Sequence, residues 1–401
     1  MLQSMGSQKS DTTEQLNWLT EREKDKEQIH IKFPEIFNQS QKAYLLLADG
    51  TVFEGRSFGA EGTSFGEVVF TTSVIGYQET VTDPTNFGKI VTQTFPLIGN
   101  YGVNDEDYES PKAQVSGYVV REWCNTPSNF RCKGNINDFL KEKNVIGIHS
   151  IDTRCLTRII RDKGAMNAVI TTENVYDKKD EFLKQIAEYK PANAVMTNTC
   201  TENKVYSCDN AKYKVAVMDF GCKNSLIKEF TDRNCEVTLV PATTTAEQIK
   251  QLGVNGIVLS NGAGNPAENP EIISNVKEIA KLGIPMLGVC LGHQILAVSQ
   301  GAKTEKMKYG HRGANQPVVD MKLGKTFVTS QNHGYVVLSD SITSEIGEIT
   351  HVNANDKTCA GIKYNNINAV SVQFYPESHD GTQDTGYITK EFIEMIEKEM
   401  H

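Results

Sequence analysis

The chain has 401 residues, 39% hydrophobic and 23% charged, ordinary figures for a soluble globular protein with room for two or three domains. Its net charge of −9 excludes a nonspecific nucleic-acid binder, which needs a basic face, and no apolar run approaches the roughly 20 residues of a membrane-spanning helix. Nine cysteines, none in a C-x-x-C pair and none spaced with histidine as a metal site, point to reduced thiols in a cytoplasmic setting and to no bound metal.

Residues 1–41 are polar and rich in Gln, Lys and Glu. They lack the apolar core of a signal peptide and carry too many acids for a transit peptide, so they read as a solvated, disordered extension. Order begins at Lys42, where two strands meet at the hairpin signal Asp49-Gly50. Further β-rich runs cover 66–73 and 90–95, with a turn at Thr82-Asp83-Pro84-Thr85-Asn86 between them. Residues 136–143 and 151–164 read as helices, the second capped, amphipathic and ending at Gly164. Residues 42–190 are thus a strand-rich, mixed α/β domain. Residues 191–212 lose periodicity and gain Asn, Thr and Pro, which marks a linker.

From 213 to 401 the texture changes to short apolar runs alternating with helical patterns, the signature of a doubly wound parallel α/β sheet. In such sheets ligands bind beyond the carboxyl ends of the strands. The loop Asn261-Gly262-Ala263-Gly264-Asn265-Pro266 and the turn after the run 285–289 should therefore lie close together.

That turn carries Cys290, with Gly288 and Gly292 two residues to either side and a helical pattern following. Strand, sharp turn bearing a nucleophile, then helix is the nucleophile elbow, here built with cysteine. The glycines suit a turn in which backbones pack too closely for Cβ atoms. A helix N-terminus beside the sulfur favours the thiolate, the reactive form.

Four stretches together resemble the class I glutamine amidotransferases: the Cys290 elbow, the loop 261–266, Gln331-Asn332-His333-Gly334-Tyr335 and Gln373-Phe374-Tyr375-Pro376-Glu377. The amino half decides among such enzymes. Gly66-Glu-Val-Val-Phe-Thr-Thr-Ser73, Gly76-Tyr-Gln-Glu79, Thr82-Asp-Pro84, Ile98-Gly-Asn-Tyr-Gly102 and Ile151-Asp-Thr-Arg154 with Arg161-Asp-Lys-Gly164 resemble the carbamoyl-phosphate synthase small-subunit family, over residues 42–400. The anthranilate, GMP and CTP synthases lack this half.

The resemblance implies a glutaminase. Cys290 would attack the side-chain amide of L-glutamine, releasing ammonia and leaving a thioester for water to clear. The ammonia would pass to a large partner subunit, which makes carbamoyl phosphate for arginine or pyrimidine synthesis with ATP and magnesium. No cofactor is implied in this chain itself. Its Gly324-Lys-Thr lacks the earlier glycine of a P-loop, position 319 being Val319. By family position, Gly262, Gly264 and Leu291 would hold substrate through their backbones, the Leu291 N–H facing the oxyanion. Thr85 (serine in the family), Gln294, Asn332, Gly334 and Tyr335 would complete the glutamine site.

One departure dominates. The family ends its triad with His-Pro-Glu, whereas here Tyr375 precedes Pro376 and Glu377. A phenol titrates near 10 and is a poor base at neutral pH, and Glu377, with no imidazole to orient, could only accept from the phenol. Three histidines are substitutes to consider: His293, His333 and His379. Ala263 replaces the family's usual proline, removing no donor. Two readings stay open, a working or slow glutaminase subunit and a catalytically impaired one that scaffolds or regulates an ammonia-using synthase.

Overall fold

The computed structural model describes residues 40–377 and 384–401. The expected extension, up to residue 39, and His379 lie outside the described residues.

Strands β1 (Lys42–Leu47), β2 (Val52–Gly59), β3 (Thr63–Thr71), β4 (Lys89–Gln93), β5 (Gly117–Val119), β6 (Ile146–His149) and β7 (Met166–Thr171) close into a barrel in the order β1-β2-β6-β5-β4-β3-β7. The pairs β3/β4, β4/β5 and β5/β6 are parallel. The hairpin turn forms where the sequence places it: Gly50 adopts φ 84°, and the Thr51 N–H donates to the Asp49 carboxylate at 2.9 Å. Along β1 both faces are buried. Ala43, Leu45 and Leu47 pack with Val68, Ile90 and Ile148, while Tyr44 and Leu46 lie against Phe182 and Ile186 of the helix Lys179–Glu188. Closure of the barrel was not legible in the sequence, because it depends on β7 returning to pair with both β1 and β3 across long chain separations. The helix Thr153–Lys163 begins at Asp152, whose carboxylate accepts the Cys155 N–H at 2.8 Å, and stops at Gly164, φ 99°.

The second half forms a ten-stranded sheet. Strands β8 (Lys204–Tyr206), β9 (Tyr213–Asp219), β10 (Cys235–Pro241), β11 (Gly256–Leu259), β12 (Met286–Val289), β13 (Thr304–Asp320), β14 (Lys325–Val337), β15 (Gly347–Asn353), β16 (Cys359–Tyr364) and β17 (Ala369–Val372) order as β8-β10-β9-β11-β12-β17-β16-β15-β13-β14. The centre, β10-β9-β11-β12-β17, is parallel. Its strands are apolar on both faces because helices cover both. Ala216 and Met218 of β9 pack with Ile249, Ile272, Val276 and Ile295, whereas Val215 and Val217 pack with Leu226, Phe230, Phe392 and Ile396. Beyond β17 the sheet continues antiparallel, and β8 adds an antiparallel edge. The stretch 191–212, expected to be a plain linker, therefore holds that edge strand and a short helix, Ala194–Asn198. All three residues of β8 are exposed, so it carries no apolar signal.

The halves meet around the carboxyl ends of the parallel strands. Glu109 accepts from the Ser225 N–H and hydroxyl, Lys306 pairs with Glu67 at 2.6 Å, and the Thr72 hydroxyl donates to Asn315 at 2.7 Å. The barrel's Asp83–Asn86 loop thus closes over the end of the second sheet.

Candidate active site

Cys290 sits at φ 54°, ψ −104°, a strained conformation for a side chain with a Cβ, between β12 and the helix Leu291–Ser299. Its N–H donates to the Val372 carbonyl at 2.9 Å and the Gly292 N–H to the Ser260 carbonyl at 3.0 Å, so neighbouring strands hold the turn. A Cβ at Gly292 would lie 2.1 Å from the Leu259 oxygen, and one at Gly288 2.9 Å from the Gly292 oxygen. Both glycines of the elbow are needed for close backbone approach.

The elbow opens on a cavity of about 350 Å³, within the usual range for small-molecule sites. Of the residues singled out in the sequence, Cys290, Gly262, Gly264, Leu291, Gln294, Asn332, Gly334 and Tyr335 line it. The loop 261–266 reaches it because the Asn261 amide donates to the Gly221 carbonyl at 2.9 Å and its oxygen accepts the Lys223 N–H at 3.2 Å. A Cβ on Gly262 would sit 2.2 Å from the Phe220 oxygen. Gln294 is held by two donations, to the Tyr335 carbonyl at 2.7 Å and to Gln373 Oε1 at 2.9 Å.

Thr85 is not on the cavity wall. Its hydroxyl accepts from Asn332 Nδ2 at 2.7 Å and from the Tyr375 hydroxyl at 3.4 Å, and it is 1% exposed. The same Asn332 nitrogen also reaches Asn86 Oδ1 at 2.9 Å and Asp83 Oδ2 at 3.3 Å. Asn332 is therefore a strut tying the amidotransferase-like sheet to the barrel loop.

Tyr375 is buried, with its hydroxyl 3.9 Å from Cys290 Sγ and 3.4 Å from the Asn332 carbonyl. Burial, then the adjacent thiol, pushes the phenol well above its ordinary value. Glu377 does not receive the phenol, contrary to the sequence expectation. Its Oε1 accepts from Lys223 Nζ at 3.4 Å, and Lys223 also pairs with Glu109 at 3.3 Å. All three side chains are at most 3% exposed. Burial raises Glu377 to about 7 against the opposing pull of Lys223. The tendency toward thiolate expected at a helix N-terminus is opposed by burial. Burial pushes the Cys290 thiol up to about 12, outweighing the Tyr375 hydroxyl and the Leu291 N–H, which favour the anion.

Neither described substitute histidine is placed to serve as a base. His293 is fully buried, with Nδ1 bonded to the Ser371 hydroxyl at 2.7 Å, and burial lowers it to about 3. His333 borders the cavity, but Nδ1 meets the Tyr335 carbonyl at 2.7 Å and Nε2 meets Gln331 Oε1 at 2.9 Å. Burial holds it well below its usual range.

Sequence reasoning missed the charged wall of the cavity: Glu67 and Lys89 from the barrel, Lys306 and Arg312 from β13. It also missed the buried group of Asp83, Glu109 and Lys223. None carries a spacing signal, since they reach the site from separate parts of the chain, only Lys306 and Arg312 sharing a strand. The Lys89 ammonium donates to the Thr85 carbonyl, and burial, then the Arg312 guanidinium, lowers it to about 8.

A strained cysteine at the carboxyl edge of a parallel sheet, facing a cavity through a glycine loop, defines the class I glutamine amidotransferase domain, and that family's model matches residues 216–395. The model of the carbamoyl-phosphate synthase small chain, CPSase domain, matches residues 45–170. The chain is 44% identical over 357 residues to the carbamoyl phosphate synthase small chain of Oceanobacillus iheyensis, covering 89% of this chain and 96% of that one. It is 41% identical over 365 residues to the small chain of Listeria monocytogenes, covering 90% and 99%. To the pyrimidine-specific small chain of Bacillus subtilis it is 43% identical over 358 residues, covering 89% and 96%. The chain belongs to the carbamoyl-phosphate synthase small chain family.

Proposed function

We propose that this chain hydrolyses L-glutamine and delivers the ammonia to a carbamoyl-phosphate synthase large subunit, in which ATP and magnesium act. The observation that carries this reading is the strained Cys290, presented to the same cavity as Gly262, Gly264, Leu291, Gln294 and Gly334. Cys290 Sγ attacks the side-chain amide carbon. The Leu291 N–H stabilises the oxyanion, ammonia leaves, and water clears the γ-glutamyl thioester. Gln294 and the Tyr335 backbone orient the substrate's amino-acid end, while Asn332 holds the barrel loop in place. The name of the Bacillus subtilis relative supports pyrimidine synthesis as a destination of the product, with arginine synthesis as the other.

A second reading has its own support. With Tyr375 where the family has histidine and the thiol raised to about 12, the subunit serves as an impaired glutaminase that scaffolds or regulates an ammonia-using synthase. Two measurements separate the readings: glutamine-dependent ammonia release in the presence of the large subunit and ATP, and labelling of Cys290 by a glutamine-like diazo-ketone. Release with glutamine-protected labelling establishes the first. Labelling without release establishes the second. Neither labelling nor release removes the first.

A further inference from the structure

We infer that Arg312 is a specificity-determining residue of the Cys290 cavity, its guanidinium taking the α-carboxylate of the amino acid whose side-chain amide reaches the thiol. The inference rests on the glutaminase reading, which supplies the ligand.

Arg312 lies on β13 opposite Asn332, on the wall of the cavity that Cys290, Gln294 and Gly334 also line. Glycines shape its seat. Gly310, at φ 74°, leaves room where a Cβ would come within 2.5 Å of Arg312 Nη1, and a Cβ on Gly334 would lie 3.0 Å from Nη2. The guanidinium is thus held between two glycine backbones, one of them belonging to the wall expected to hold glutamine.

Its donors are largely unused. An arginine carries five N–H groups. Here Nη1 donates to the Tyr309 carbonyl, while Nε is buried without a partner and Nη2 bonds to no described residue. Arg312 is 5% exposed and forms no ion pair among the described residues. Burial, the largest influence on it, works against its charge, with Glu67 opposing from beyond pairing distance. A buried cation of this kind is costly until an anion reaches it. The other two cations on the wall are occupied: Lys306 pairs with Glu67 at 2.6 Å, and Lys89 donates to the Thr85 carbonyl. A planar fork with spare donors, facing a small-molecule cavity, suits a carboxylate.

The test is calorimetric binding of L-glutamine and of L-glutaminamide, which keeps the side chain and amine but has no carboxylate. The full chain carries Cys290→Ala, so that neither ligand turns over. Glutamine should bind about 30-fold or more tightly than the amide, as for a desolvated charged contact. Arg312→Met on this background should abolish that preference and leave the affinity for the amide unchanged. Lys306→Met should keep the preference, and Arg312→Lys, with the charge but not the fork, should keep part of it. Equal binding of the two ligands before any change at Arg312, or a preference that survives Arg312→Met, overturns the inference and leaves the glutaminase reading standing. If Arg312→Met binds neither ligand, Arg312→Lys decides: an undiminished preference there overturns the inference, and a reduced one supports it. If the Cys290→Ala chain binds neither ligand, the glutaminase reading itself fails, and the inference with it.

Discussion

Lys223 lies beneath Tyr375, its ammonium 4.3 Å from the ring centroid, and pairs with Glu377 and Glu109 at 3.4 and 3.3 Å. One buried cation thus supports the aromatic ring beside the nucleophile and offsets two buried carboxylates. Around it the balance is acidic, because Asp83 lies close enough to feel Lys223 and Glu109, and burial raises its carboxyl.

Removing Lys223 should be costly. Lys223→Met leaves Glu109 and Glu377 facing one another without a cation, the circumstance in which breaking a buried pair costs about 3–5 kcal/mol. Urea unfolding of the variant should show a loss of this order, with Glu377→Gln on top of it restoring part. A loss below about 1 kcal/mol would mean that the cluster is already neutralised by protonation.

Glu377 should make stability depend on pH. Its carboxyl is raised to about 7, above its unfolded value, so the folded chain holds a proton that the unfolded chain releases. This contribution is complete below the unfolded pKa and is lost as pH rises through about 7. Glu377→Gln should therefore melt at least roughly 2 °C higher than the parent at pH 8, with the advantage shrinking toward pH 5. An advantage that grows toward acid would reverse the assigned direction.

Tyr375→His should raise glutamine-dependent ammonia release by about 10²–10⁴-fold, the usual contribution of a positioned acid–base group. The reason is geometric: the tyrosine hydroxyl already reaches within 3.9 Å of Cys290 Sγ, but it is a donor with a strongly raised pKa. Parent and variant releasing ammonia alike would show that the proton moves by another route.

Gly262→Ala tests the glycine loop. Its new Cβ would meet the Phe220 oxygen at 2.2 Å and Leu291 Cδ2 at 2.8 Å, so the loop must move off the elbow. We expect a stability loss of about 1–3 kcal/mol, typical of overpacking. Glutamine protection of Cys290 against the diazo-ketone should fall about 10-fold or more. Unchanged protection would place the glutamine site away from this loop.

Local patterns carried much of what could be read without coordinates. The alternation of apolar runs and helices after residue 213 determines a parallel sheet, because such strands are buried on both faces, and the glycines around Cys290 determine the elbow, because Cβ atoms there would strike backbone. The absence of histidine before Pro376 is likewise a matter of sequence alone. Tertiary structure decided what depends on distant residues meeting. Barrel closure needs β7 to pair with β1 and β3, and the antiparallel extension of the second sheet needs the long β13/β14 hairpin. The partner of Glu377 proved to be Lys223, 154 positions away, and Thr85 lies behind Asn332 rather than on the cavity wall. The surroundings of Cys290 came from the tertiary structure too: a helix N-terminus favours thiolate, whereas burial, which only the fold creates, opposes it.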